Sequence, residues 1–206
     1  MPIDSYFDKI FYINLPTDVE REKNLLKQLE RYSISNIERI EGVIYEQPSD
    51  KCFWRNFIKK DIKYVLGSLG CRDAHLKAIS IAKERKYERI LILEDDIYFL
   101  ENPNESLHKF LSKNTDNWDM LYLSGLIEPQ FRNQIVLGSA YAVRSKLFDD
   151  IIYMAEASGM EIDNFYAKII QHMSYNYNTS GKYNIAMIDP NFIVAQNKYF
   201  QSNIRY

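Results

Sequence analysis

The run ILILEDD, residues 90–96, carries an apolar stretch straight into three consecutive carboxylates, Glu94, Asp95 and Asp96. Adjacent negative charges repel, and coordination of a hard divalent cation by carboxylate oxygens is one chemistry that relieves them. In an open α/β sheet the carboxyl ends of the strands line the ligand crevice, so acids at a strand end stand where a cation and its diphosphate would sit. Glu94 and Asp96 lie two apart and share a side in extended backbone, with Asp95 opposite. A solvated acidic turn after a core strand fits the same run, and local sequence leaves both readings open.

The elements that must position these acids alternate in type. Residues 7–15 form a β-rich run, and 17–32 follow with helical spacing of Val19, Leu25, Leu26, Leu29 and Tyr32, with Thr17 and Glu20 at capping-box distance. A second strand is expected over 36–44. The mixed polar and aromatic stretch 45–66 resists assignment and reads as a variable insertion. A helix is expected over 68–86, with Leu69, Ala74, Ala78, Ile81 and Ala82 as its apolar stripe, and a compact strand over 89–93. Further on, a helix over 104–113, a strand over 118–123 and a strand over 135–143 are expected. Gly138 in the last of these marks a close approach. Ser145 can cap a helix running to about Ala157 and ending at Gly159, then 161–173 reads as helix and 183–195 as strand. This alternation predicts an α/β sandwich with a mainly parallel sheet in one domain spanning 1–206, and residues 197–206 as a flexible C-terminal tail.

Composition narrows the function. The 206 residues carry 28 acidic against 26 basic side chains, which argues against a general nucleic-acid binder. Apolar runs are far shorter than the roughly 20 residues of a spanning helix, so no transmembrane segment is expected. Charges within Met1–Lys9 argue against a signal peptide, and Cys52 and Cys71 are too few for a disulfide framework, so the expected location is cytoplasmic with reduced thiols. Glycine is scarce, 7 of 206, so Gly67 and Gly70 within four residues suggest a tight backbone approach.

Several segments occur in an order that resembles glycosyltransferase family 25, the lipooligosaccharide and procollagen galactosyltransferases. They are YINLPTDVEREK (12–23), LGSLGCRDAHLKAISIA (66–82), ILILEDD (90–96), NWDMLYLSG (117–125), SAYAVRSKLFDDII (139–152) and IDNFYAK (162–168), with DPNFIVAQ and QSNI near the end. The resemblance spans almost the whole chain. It departs at Ala74, where the family commonly has Ser before the histidine.

The resemblance implies a GT-A-like nucleotide-binding sandwich, a UDP-sugar donor, a saccharide or hydroxylated side-chain acceptor, and Mn²⁺ or Mg²⁺ as cofactor. It assigns the metal to Asp96 and Glu94, and donor contacts to Asn14, Arg21, Gly70, His75, Glu94 and Asp95. Asp163 is the candidate base that takes the acceptor hydroxyl proton in an inverting transfer, with Asp119 and Glu161 as weaker substitutes. Tyr141, Gln196 and Ser202 are further candidates at the sugar or diphosphate. Each has an ordinary alternative: a turn-forming Asn14, solvated Arg21 and Lys23, a structurally partnered His75, and an Asp163 that caps its helix. Cys71 reads as a small apolar residue with no nucleophilic role. A non-catalytic nucleotide-sugar or carbohydrate-binding module of the same fold is the competing expectation. A phosphotransferase is disfavoured by the lack of a Walker-type glycine loop.

Overall fold

The structure, a computed structural model, describes residues 2–47, 61–113, 117–128, 134–136, 138–174, 182–188 and 194–196. Its strands are β1 Lys9–Asn14, β2 Ile37–Glu41, β3 Arg89–Glu94, β4 Ile97–Phe99, β5 Met120–Tyr122, β6 Leu126–Glu128, β7 Gln134–Val136, β8 Ala140–Arg144, β9 Ile185–Met187 and β10 Val194–Gln196. The helices are α1 Ile3–Tyr6, α2 Val19–Arg31, α3 Ile62–Glu84, α4 Pro103–Lys113, α5 Phe148–Ser158, α6 Ile162–Phe165 and α7 Gln171–Ser174. Six strands form one sheet in the order β2-β1-β3-β8-β5-β9. The pairs β1–β2, β1–β3 and β5–β9 are parallel, whereas β8 runs antiparallel to both β3 and β5. The expected mainly parallel α/β sandwich is present, with one reversed strand inside it.

Strand alternation sorts the apolar side chains into two cores. Ile90 and Ile92 of β3, Phe11 of β1 and Tyr141 and Val143 of β8 pack beneath α3, α5 and α6. Leu91 and Leu93, Ile10 and Tyr12, and Ala140 and Ala142 face α1, α2 and α4 on the other side. A strand covered on both faces needs a continuous apolar run, which is what residues 90–93 provide. On α2 the buried side chains are Arg21, Leu25 and Leu29, one stripe at four-residue spacing. That stripe carries Arg21 to the carboxyl edge of the sheet. Thr17 and Glu20 form no capping box, since Asp18 is the N-cap and makes no side-chain cap bond.

The helix expected from residue 68 begins at Ile62, where Asp61 Oδ1 accepts the Tyr64 N–H at 2.9 Å. Gly67 and Gly70 therefore lie inside α3, although each costs a helix roughly 1 kcal/mol relative to Ala. Gly70 is needed for packing against the chain itself: a Cβ there would sit 2.1 Å from the Val43 carbonyl oxygen. Its close approach is to the segment after β2. Gly70→Ala is accordingly expected to destabilise the protein by about 1–3 kcal/mol, measured by denaturant unfolding. Unchanged stability would contradict this packing.

The stretch 135–143 is not a single strand. β7 pairs with β6, β8 enters the sheet, and Gly138 lies between them with its Cβ direction blocked by Tyr122 Cε1 at 2.7 Å. The predicted close approach at Gly138 is thus a protein contact. Ser145 opens a short 3₁₀ turn, Ser145–Leu147, without a side-chain cap, and α5 ends at Gly159 in the left-handed region, φ 59°. Helix 161–173 is α6 and α7 joined by a π-helical turn, Tyr166–Ile170. The strand-like stretch 183–195 contains β9 and the first part of β10, and residues 189–193 lie outside the described residues. So do 48–60 of the unassigned stretch, the expected tail 197–206, and with it Ser202. Among the described residues no helix is long and apolar enough to cross a membrane.

Candidate functional site

The carboxyl ends of β1 and β3, the segment after β2, the first half of α3 and the start of α6 enclose a cavity of about 630 Å³. Parallel β1 and β3 end side by side, so Asn14 and the three acids meet at one edge. Asn14 Nδ2 donates to Asp95 Oδ2 at 2.8 Å and to the Asp18 carbonyl at 3.1 Å. Arg21 Nη1 donates to Asp95 Oδ1 at 3.3 Å and lies 3.9 Å from Asp96 Oδ2. Gln196 Nε2 donates to Asp96 Oδ2 at 3.1 Å. Asp96 Oδ1 and Asn14 Oδ1 are buried without a hydrogen-bond partner among the described residues.

Alternation along β3 turns Glu94 toward α3 and Asp95 toward α2. Glu94 Oε1 lies 3.4 Å from His75 Nε2, whereas Asp95 meets Arg21 on α2. Asp96 does not follow the strand's alternation, because β3 ends at Glu94 and Asp96 sits in the turn beyond it, near Arg21. All three nonetheless line the same cavity.

One face of α3 forms the opposite wall. Gly67, Gly70, Cys71, Ala74 and His75 recur at helical spacing and all line the cavity. His75 is 1% exposed, and its Nδ1 is 2.7 Å from the Tyr141 hydroxyl, which in turn is 2.9 Å from the Tyr166 hydroxyl. Burial lowers the imidazole to about 4, so it is neutral at pH 7. Its Nε2 is buried without a hydrogen-bond partner among the described residues. The ligand atoms of Cys71, His75 and Glu94 all lie within 4.8 Å of one another.

Asp163 enters from α6. It does not cap its helix: its Oδ1 accepts the Gly138 N–H at 3.3 Å. The reversed strand makes this possible, because the Glu94 N–H donates to the Ser139 carbonyl at 2.8 Å and so ties the end of β3 to the segment holding Gly138. Glu161 also lines the cavity, bonded by the Tyr64 hydroxyl and the Asn164 side-chain amide.

Burial is the first cause of every carboxyl shift here. It raises Glu94 to about 7, reinforced by the Asp95 charge, and Asp96 to about 7, reinforced by Glu94. It raises Asp95 to about 6 against the Asn14 hydrogen bond and the Arg21 charge, and Asp163 to about 6 with help from Glu94. In all four the folded state binds protons more tightly than the unfolded chain, whose carboxyls titrate near 3.8 to 4.5. Their stabilising effect is complete below that range and is lost as pH rises through about 6 to 7. His75 acts oppositely, since its lowered value makes stability rise with pH between about 4 and 6.5. With four carboxyls against one imidazole, the metal-free protein is expected to melt at lower temperature at pH 7.5 than at pH 5. A calorimetric scan across that range checks the sign.

Of the sequence-predicted residues, Asn14, Arg21, Gly70, His75, Glu94, Asp95, Asp96 and Asp163 are brought to one cavity, and Gln196 joins them from β10. Asp119 is elsewhere, paired with Lys146 at 2.8 Å, and Lys23 is a surface residue near Glu20. Tyr141, expected at the sugar or diphosphate, is instead buried behind His75. Sequence reasoning missed Tyr45 and Tyr64, which fell in the unassigned stretch, and the place of Cys71 in the wall. The i, i+4 spacing of Cys71 and His75 was the available signal.

No curated protein sequence matches the chain significantly. Among solved structures it is similar to a glycosyltransferase involved in glycosylation of the major capsid of PBCV-1, at 13% identity over 88% of this chain and 81% of that one, TM-score 0.47. A Drosophila β-1,4-galactosyltransferase 7 variant in complex with manganese, UDP-Gal and xylobiose is similar at 11% identity, over 93% and 72%, TM-score 0.47. A Bacillus anthracis protein assigned as a glucose-1-phosphate thymidylyltransferase, in complex with sucrose, is similar at 11% identity, over 91% and 89%, TM-score 0.46. Residues 7–186 match the family described as Glycosyltransferase family 25 (LPS biosynthesis protein), and the chain, a glycosyltransferase, belongs to that family.

Proposed function

We propose that this glycosyltransferase moves a hexose, galactose or glucose, from a UDP-sugar to a saccharide or hydroxylated side-chain acceptor, with inversion and with a divalent cation. The observation that carries the reading is the meeting of Glu94, Asp95, Asp96 and Asp163 in one cavity with Arg21 and Asn14. These residues suit a cation. Asp96 presents a buried oxygen with no partner among the described residues, and burial raises both Glu94 and Asp96, reinforced by the Asp95 charge at Glu94 and by the Glu94 charge at Asp96. Asp96 and Glu94 would hold Mn²⁺ or Mg²⁺. When bound, such an ion supplies positive charge against the diphosphate leaving group.

The chain's own residues do the rest. Arg21 and Asn14 fix Asp95 by one hydrogen bond to each of its oxygens, and Asn14 is itself held by the Asp18 carbonyl, leaving Asp95 oriented toward ribose or a water. Asn14 Oδ1, without a hydrogen-bond partner among the described residues, would accept a hydrogen bond from uracil or ribose. His75 bears on the donor through Glu94, which it faces, and Gly70 contributes only the thin wall beside Val43. Asp163, held by Gly138 N–H, takes the acceptor hydroxyl proton while that oxygen attacks the anomeric carbon from the side opposite the diphosphate. A raised carboxyl is a stronger base than a solvent-exposed one, which suits this role. Gln196 on Asp96 brings the end of β10 to the donor side. A cytoplasmic setting, with Cys71 reduced, belongs to the same reading.

Titration calorimetry with UDP, UDP-galactose and UDP-glucose tests donor binding. The expected result is binding that strengthens when Mn²⁺ is added. Absence of binding by all three, with and without Mn²⁺, overturns the reading.

A further inference from the structure

We propose that Cys71, His75 and Glu94 form a second cation site, selective for a borderline-soft divalent ion such as Zn²⁺, on the α3 side of the cavity. Three observations converge. Cys71 and His75 lie one helical turn apart on α3 and present a thiol and an imidazole to Glu94 at the end of β3, with one ligand atom of each within 4.8 Å of the others. Tetrahedral bonds of about 2.0–2.3 Å place zinc ligands about 3.5 Å apart, and the separation of His75 Nε2 from Glu94 Oε1 is already 3.4 Å. Second, His75 is 1% exposed, yet its Nε2 has no hydrogen-bond partner among the described residues and is aimed at this cluster. A buried ring nitrogen left unmatched is costly, and a metal bond satisfies it. Third, Nδ1 is held at 2.7 Å by the Tyr141 hydroxyl, itself 2.9 Å from that of Tyr166. Metal-ligating histidines have a fixed partner at the distal nitrogen, and the tautomer in which Nδ1 donates to Tyr141 presents the Nε2 lone pair.

The donor set also separates this site from the carboxylates beside it. A thiol, an imidazole and a single carboxylate suit Zn²⁺, whereas Mg²⁺ and Mn²⁺ prefer oxygen. Binding expels the Cys71 proton to solvent, and the thiolate with the Glu94 carboxylate balances the two positive charges. Among the described residues the site has three ligands, which leaves a fourth position for water from the cavity. A cation here withdraws Glu94 from Asp96, so Zn²⁺ acts as an inhibitor of the proposed transfer. The site itself does not depend on that transfer.

Co²⁺ is the spectroscopic probe. One equivalent added to the metal-free protein is expected to give a sulfur-to-cobalt charge-transfer band and tetrahedral d–d absorption, both removed by Zn²⁺ and resistant to excess Mg²⁺. Cys71→Ser abolishes the charge-transfer band, and Cys52→Ser and Asp96→Asn keep it. Tyr141→Phe keeps the band and weakens Co²⁺ binding about 10-fold. Absence of the band in the parent protein overturns the site, as does its persistence in Cys71→Ser or its loss in Cys52→Ser. Failure of UDP-sugar binding would leave these spectra unchanged, so the two readings fail separately.

Discussion

Asp96→Asn is expected to lower metal-dependent transfer by about 10²–10³-fold while raising the melting temperature of the metal-free protein. The two effects have one origin. Asp96 lies in the turn after β3, mostly buried, with one oxygen bonded by Gln196 and near Arg21 and the other without a partner among the described residues. Its charge is opposed by burial and by Glu94, which is why its carboxyl is raised to about 7. The amide keeps the shape and removes the charge, so the fold loses a repulsion while the site loses its principal cation ligand. Steady-state rates across Mn²⁺ concentrations, with melting curves in chelator, measure both. Parent-like activity in the variant would remove Asp96 from the metal.

Asp163→Asn is expected to cut kcat by about 10²–10⁴-fold with donor affinity unchanged. Asp163 lines the same cavity as Asp96, from α6, and its Oδ1 accepts the Gly138 N–H. The parent's rate should rise with pH through about 6, as the Asp163 carboxyl gives up its proton and becomes able to accept another. Because Glu94 perturbs Asp163, that limb reports the coupled acids together. In the variant the limb attributable to Asp163 disappears. Full kcat, or donor binding lost in proportion to kcat, would send the search for the base to Glu161, which is held in the same cavity by Tyr64 and Asn164.

What could be read from the sequence was whatever depends on neighbours along the chain. The apolar run 90–93 announced a strand covered on both faces, and its abrupt acidic end announced the edge of a sheet. The spacing of Leu25 and Leu29 announced an amphipathic helix, but Val19, read into the same stripe, is exposed, and it is Arg21 that continues the buried stripe to that edge. The start of α3 was hidden because two glycines are locally poor helix formers, and the reason for Gly70, the Val43 carbonyl, is a contact between separate elements. The partner of Asp163 was hidden for a related reason. An acid in the first turn of a helix looks like a cap, and only the antiparallel entry of β8 beside β3 brings Gly138 within its reach. Tyr141 was recognised and misplaced: alternation along β8 puts it on the α3 face, where it supports His75 from behind. The family's order of segments named residues that the fold gathers at one cavity. The tertiary contacts set the work of each side chain within it.

Cation-assisted transfer from a UDP-sugar can be measured directly. The most direct measurement is release of UDP from UDP-galactose and UDP-glucose by the purified protein with saccharide acceptors, in Mn²⁺ and in excess chelator, with the glycosylated product identified by mass spectrometry. Product and stoichiometric UDP are expected in Mn²⁺, and loss of both in chelator and in Asp96→Asn. Equal product formation in Mn²⁺ and in chelator would contradict that expectation.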